Sequence, residues 1–279
     1  ANTWTKSAGT FTATGTVVFT GAAAQVGASN FNNLTINTGA GNSATLIGDA
    51  TASGVLTLTN GLIATGTNIL TVSSNCTTAI SGSAAGFVIG NLRLHYPTNA
   101  SGTTTCTFHI GSAAAYTPAT VAMVNVTSTL TNSSLTARTD AGDHPDTTTN
   151  TSGIDAGKSV NRSWTLTPGA SLTFSSYNVT FNFLAGDIDG GANTANFSIA
   201  RKNAGVWSLP TLGARNPTNT TATGITQVDG FGEYAIGERA LPLITLLKST
   251  VVISDPVNNA TNPKAIPGAV FAYTVKIVN

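Results

Sequence analysis

Apolar side chains recur at every second position over short runs of this chain, and each run is closed by a turn residue. "TVVF" from Thr16, "NLTIN" from Asn33, "VLTLTNG" from Val55 and "ILTVSSN" from Ile69 are strands by this pattern, with Gly, Asn or Ser close behind. A Leu-Thr-aliphatic triplet returns in three of them. It turns Leu34, Ile36, Leu56, Leu58, Leu70 and Val72 to one side and Thr35, Thr57 and Thr71 to the other. The irregular intervals between these strands suit the coils of a β-solenoid, in which each coil packs only on its neighbours. An antiparallel sandwich is the alternative that the same strands allow.

The texture changes near Arg93, where aromatics, prolines and charges enter and the strands lengthen. "TTTCTFHIG", "ATVAMVNVT", "SSLTARTDAG", "SVNRSWTLTPG", "YNVTFNFLAG" and "FGEYAIGE" alternate between turn signals and predict a β-sandwich. Trp164 and Trp207 are the expected plugs between its sheets, while "DIDGGAN" and "RKNAGVW" are the expected hairpin turns. The predicted organisation is a solenoid-like region over 1–92, a sandwich over 93–240, and a linker with an extended C-terminal strand over 241–279. The fold class is all-β.

Composition sharpens the picture. Only 8% of residues are charged, against roughly 25% in an ordinary soluble domain. The net charge of +1 offers no basic face for nucleic acid or for an anionic membrane. No run approaches the ~20 apolar residues of a spanning helix, so no membrane span is expected. A Thr- and Asn-rich chain that opens at Ala1, as though a leader had been removed, suits a secreted protein. Cys76 and Cys106 lack metal-ligand spacing, and in an extracellular chain a disulfide between them is the natural expectation; two separate buried thiols are the alternative.

The stretches "QVGASNFNNLTIN", "GFVIGNLRLHY", "YTPATVAM", "TARTDAGDHP", "GKSVNRSWTLTPG", "FNFLAGDIDGGANTANF" and "FGEYAIGE" follow one another in order. Together they resemble the Thr- and Asn-rich, adhesin-like surface proteins of bacteria, in which strand repeats lead into a sandwich carrying a Ser/Asn-Arg-x-Trp motif. That resemblance spans 10–240 and implies a cell-surface location more than an activity. The tail, "STVVISDPVNNATNPKAIPGAVFAYTVKIVN", resembles the opening of the immunoglobulin-like conserved repeat domain of bacterial surface proteins. An immunoglobulin-like domain has about seven strands, and the tail holds about two.

Candidate chemistry is sparse. Solenoid lyases and hydrolases need clustered carboxylates, yet between Lys6 and Arg93 the only charged residue is Asp49. No catalytic residues, enzyme activity or cofactor are expected. "ARTDAGDHPD" places Arg138, Asp140, Asp143, His144 and Asp146 together, which predicts a solvated loop with Arg138 paired to an aspartate rather than a catalytic histidine. Asp187, Asp189 and Asn193 form an acidic turn and are weak calcium candidates, lacking the spacing of an EF-hand.

The C-terminal strand carries the functional expectation. Val270, Phe271, Tyr273, Val275 and Ile277 form a half-apolar strand behind a stretch holding Pro256, Pro263 and Pro267, predicted to be stiff and extended. Three fates are open to it: folding back on its own sandwich, belonging to a domain that continues, or completing a sheet in a neighbour. The third predicts an extracellular filament, pilus or surface-fibre subunit polymerising with copies of itself, with adhesion or biofilm cohesion as its purpose. The alternative is a monomeric surface adhesin that recognises carbohydrate or a protein partner, so surface glycans are a further expected partner.

Overall fold

The computed structural model describes residues 3–5, 14–113, 115–149, 151–241 and 245–278. Strand accounts for 60% of the chain and helix for 5%, and the N-terminal region winds through about 5 solenoid turns, as the alternation predicts. Three parallel ladders build the solenoid. One stacks Thr16–Phe19, Asn33–Asn37, Leu56–Asn60 and Ile80–Ser81. A second joins Gln25–Val26, Ser43–Leu46 and the starts of Leu62–Asn75 and Val88–His95. The third joins Ser29–Phe31, Ala50–Ala52 and the later parts of those same two long strands. "ILTVSSN" therefore lies on the third ladder, not with the other Leu-Thr triplets.

The parallel register sets like residues on like residues. Leu34 lies beside Leu56 and Leu56 beside Ile80; Ala50, Leu70 and Leu92 form another row. Both leucine pairs are fully buried, so each coil completes the core of the next. Asparagine serves the corners. The Asn68 side-chain amide donates to the Leu46 carbonyl (3.0 Å), and that of Asn91 donates to the Asn68 carbonyl (3.1 Å). Each bond satisfies a backbone carbonyl where the chain bends.

The strand Val88–His95 joins the two architectures. It pairs in parallel with Leu62–Asn75 (Leu92 beside Leu70) and antiparallel with Ser134–Ala141 (Leu92 beside Ala137). The sheet continues antiparallel through Ile154–Pro168, Glu233–Arg239, Ser198–Asn203 and Val206–Ser208. A second sheet runs in the order Asn99–Phe108, Ala119–Val126, Ser176–Asn182, Asn219–Thr226, Leu212–Asn216. Aromatics close the sandwich between the two: Trp164 lies 4.9 Å from Phe181, and Tyr177 stacks on Phe231 at 4.3 Å. The predicted boundary at 92/93 falls inside Val88–His95, and the solenoid and sandwich form one compact unit through Ala240. Residues 241–279 form a second unit.

Two local expectations change and a third holds. Trp207 is half-buried beside Ile154, Ala200 and Ala235, outside the main aromatic core. "DIDGGAN" is no hairpin; it lies on a crossover between the sheets and is flanked by the 3-10 turns Ala185–Asp187 and Thr194–Asn196. "RKNAGVW" does form a hairpin, with Asn203 paired to Val206 and Ala204 and Gly205 at φ of 47° and 82°, the left-handed values of a two-residue turn.

Cys76 and Cys106 are disulfide-bonded with Cα atoms 5.6 Å apart, tying the last solenoid coil to the second sheet of the sandwich. Closing that loop restricts the unfolded chain by about 3 kcal/mol. Reduction should therefore lower the midpoint of urea unfolding by the equivalent of ~3 kcal/mol. An unchanged midpoint under full reduction would contradict this role.

Candidate functional site

The acidic turn is built around an arginine. Asp187 receives Arg162 in two hydrogen bonds, Nε to Oδ2 at 3.1 Å and Nη2 to Oδ1 at 3.0 Å, and also accepts the Leu184 N–H. Arg162 is fully buried and reaches Ser112 through Nη1 (3.2 Å). Asp189 accepts the Ser159 N–H (2.7 Å) and the Asn161 amide (2.7 Å), while Asn193 caps the turn that follows by accepting the Ala195 N–H. The oxygens proposed for calcium are committed to protein donors. No group of three or more metal-ligating side chains occurs among the described residues. The calcium expectation gives way to a structural clamp.

That clamp yields a prediction. Removing one partner from a buried ion pair strands the other charge and costs about 3–5 kcal/mol. Arg162→Ala should show a loss of this size in chemical denaturation, and a loss below ~1 kcal/mol would refute the clamp.

The charged loop is also more ordered than expected. His144 is buried and caps the short helix Pro145–Thr148: the Asp146 N–H donates to Nδ1 at 3.1 Å, so the ring proton sits on Nε2 and is donated to Glu233 at 2.6 Å. Both ring nitrogens are thus engaged in hydrogen bonds within the protein. Asp146 accepts Lys202 (2.7 Å) and the Trp207 indole N–H (2.9 Å), and these bonds hold its carboxyl below the ordinary range. Arg138 pairs with Asp140 as expected. Asp143 bonds the Ser159 hydroxyl (2.8 Å), but partial burial and the charge of Asp189 push its carboxyl upward. An open groove of about 510 Å³ runs past Asp140, His144, Lys202 and Glu233.

The C-terminal unit departs furthest from expectation. Val270–Val278 is not a lone strand but the second half of a hairpin, paired antiparallel along its length with Thr245–Ser254. The predicted linker is therefore largely strand; Pro242 lies outside the described residues. The proline-bearing stretch is a closed loop and not an extended spacer. Asp255 anchors it, accepting the N–H groups of Val257 (2.7 Å), Asn258 (2.6 Å) and Lys264. Its backbone also exchanges two hydrogen bonds with Asn259. The donors at Asn258 and Lys264 lead in holding the Asp255 carboxyl down at about 2.

Register assigns the hairpin faces, because residues directly opposite in an antiparallel pair share a side. Leu246 opposes Ile277, Lys248 opposes Val275, Thr250 opposes Tyr273 and Val252 opposes Phe271. This face is six-eighths apolar, and Lys248 lies over the Tyr273 ring at 4.6 Å. The other face mixes Leu247, Val251 and Ala272 with Ser249, Thr274 and Lys276. The apolar face is open: Tyr273, Val275 and Ile277 are 60%, 55% and 68% exposed. Among the described residues of this unit the one buried residue is Asp255. The expected strand residues Phe271, Tyr273, Val275 and Ile277 are thus brought together on one face, while Val270 opposes Ser254 beside a bulge. Leu246 and Val252 lie in a stretch whose Pro242 and Lys248 suggest a linker; the signal for a strand is the "Asp-Pro-Val-Asn-Asn" turn that follows its apolar run.

No protein-family model matches this chain, and no curated protein or solved structure matches it. No helix among the described residues is long and apolar enough to cross a membrane.

The anchor predicts acid lability. A carboxyl at about 2 in the folded loop and ~3.9 in the unfolded chain stabilises the loop fully above that upper value. The contribution fades as pH falls through the window between them and is gone below the lower value. Amide exchange at Val257, Asn258 and Lys264 should accelerate across this window, and Asp255→Asn should show the fast exchange already at neutral pH. Equal protection in the variant and the parent protein would refute the anchor.

Proposed function

We propose that this chain is a structural subunit of an extracellular fibre, and that it assembles by presenting its C-terminal hairpin to a neighbouring copy. The observation that carries the reading is a two-stranded unit with an open apolar face and, among the described residues, no buried apolar side chain. An isolated two-stranded hairpin is marginal in water and needs further strands or a packed face. Full burial of Leu246, Val252, Phe271, Val275 and Ile277 is worth about 1.5–3 kcal/mol each. A second copy supplies cover in unlimited number, and a head-to-tail contact that does not close generates a filament. The few charges on the chain leave little repulsion between packed copies. The strand is offered as part of a hairpin, so the contact adds two strands together. Surface location, adhesion and biofilm cohesion belong to this same proposal.

A monomeric surface module that binds a glycan is the second reading. The groove of about 570 Å³ lined by Thr165, Thr167, Lys202, Asn203 and Glu233 favours it, since it gathers hydroxyl, amide and charged groups beside Phe231.

Electron microscopy of the intact chain beside Phe271→Asp/Val275→Asp separates the two. Filaments are expected from the parent chain and only single particles from the variant, because burying an unpaired carboxylate costs several kcal/mol. Single particles from both at micromolar to millimolar concentration would sink the assembly reading.

A further inference from the structure

An added hairpin needs an edge to join, and the described strands differ sharply in what edge they offer. Natural sheets guard their edges by shortness, charge or proline. The terminal strands of the solenoid ladders have two to four residues: Thr3–Trp4, Thr16–Phe19, Ser29–Phe31 and Ile80–Ser81. Val206–Ser208 has three, and Leu212–Asn216 has five and carries Arg215. Asn99–Phe108 stands apart. It has ten residues, holds neither a charge nor a proline, and among the described strands pairs only with Ala119–Val126. Its ladder is regular from Thr103 to Phe108. Thr103 and Thr105 are exposed there, while Thr104, Cys106 and Phe108 are buried on the opposite side.

Resting on the assembly reading above, we propose that Asn99–Phe108 is the acceptor edge: the hairpin of one copy, through Val270–Val278, adds to this strand in the next. The second sheet would then grow from five strands to seven across the subunit boundary. Length fits, since Val270–Val278 has nine residues and its acceptor ten. Main-chain hydrogen bonds supply the contact, as in other strand additions. Charge fits as well. Residues 241–279 carry three lysines against one aspartate, whereas the preceding residues carry nine cationic side chains against ten carboxylates. Donor and acceptor are different surfaces of the chain, so the contact is heterologous.

The test uses two full-length variants and their mixture in sedimentation velocity, with near-ultraviolet circular dichroism to show that both are folded. Thr103→Lys/Thr105→Lys puts the usual edge guard on the acceptor at exposed positions, and Phe271→Asp/Val275→Asp spoils the donor. Each alone should self-associate at least tenfold more weakly than the parent chain. Mixed, they should form a one-to-one heterodimer and nothing larger, because one intact donor meets one intact acceptor. If the lysine variant assembles like the parent, or the mixture stays monomeric, the acceptor assignment falls while the assembly reading stands. If the parent chain is itself monomeric, both fall.

Discussion

The hydrogen-bonded ladder through Val88–His95 is the interaction on which the rest of the molecule depends. On one side it extends the parallel stack of solenoid coils, and on the other it begins an antiparallel sheet. A solenoid must end somewhere, and its last coil exposes a row of backbone groups that need a partner. Here that row is capped by the sandwich itself, so the apolar rows Ala50–Leu70–Leu92 and Ala52–Val72–Leu94 pass straight into the sandwich interior. The disulfide between Cys76 and Cys106 and the ladder together tie the two architectures at this junction.

Much of this architecture was legible because period-two alternation is a local signal. Leu34, Ile36, Leu56 and Leu58 could be placed inward from their spacing alone, and all four are buried. The disulfide could be expected from its context. What the sequence hid were decisions made by distant partners. A domain break at residue 92 looked reasonable because composition changes there, but pairing with Leu62–Asn75 on one side and Ser134–Ala141 on the other runs through it. Asp187 and Asp189 were weak calcium candidates by their place in an acidic turn, and their partners Arg162 and Ser159 come from the strand Ile154–Pro168. The tail looked unpaired because proline suggests extension, whereas Asp255 folds those prolines into a loop.

Rigidity and incompleteness are therefore divided between two units. Residues up to Ala240 hold a continuous core of aliphatic rows and aromatic plugs. Those after it form a hairpin whose order rests on one buried carboxylate and on cross-strand pairs, with its apolar side chains in the open. A unit of this kind gains most from a partner that brings both a strand edge and an apolar surface. In the proposed assembly such gains accrue at every joint, with Asn99–Phe108 as the proposed place to receive the hairpin.

The most direct measure of this account is hydrogen exchange at the amides of Val270–Val278 across a concentration series of the intact chain. The account predicts protection that rises with protein concentration in this strand while the solenoid core at Leu34–Ile36 stays unchanged. Exchange in the strand that is independent of concentration would mean that the hairpin meets no second copy, and would contradict it.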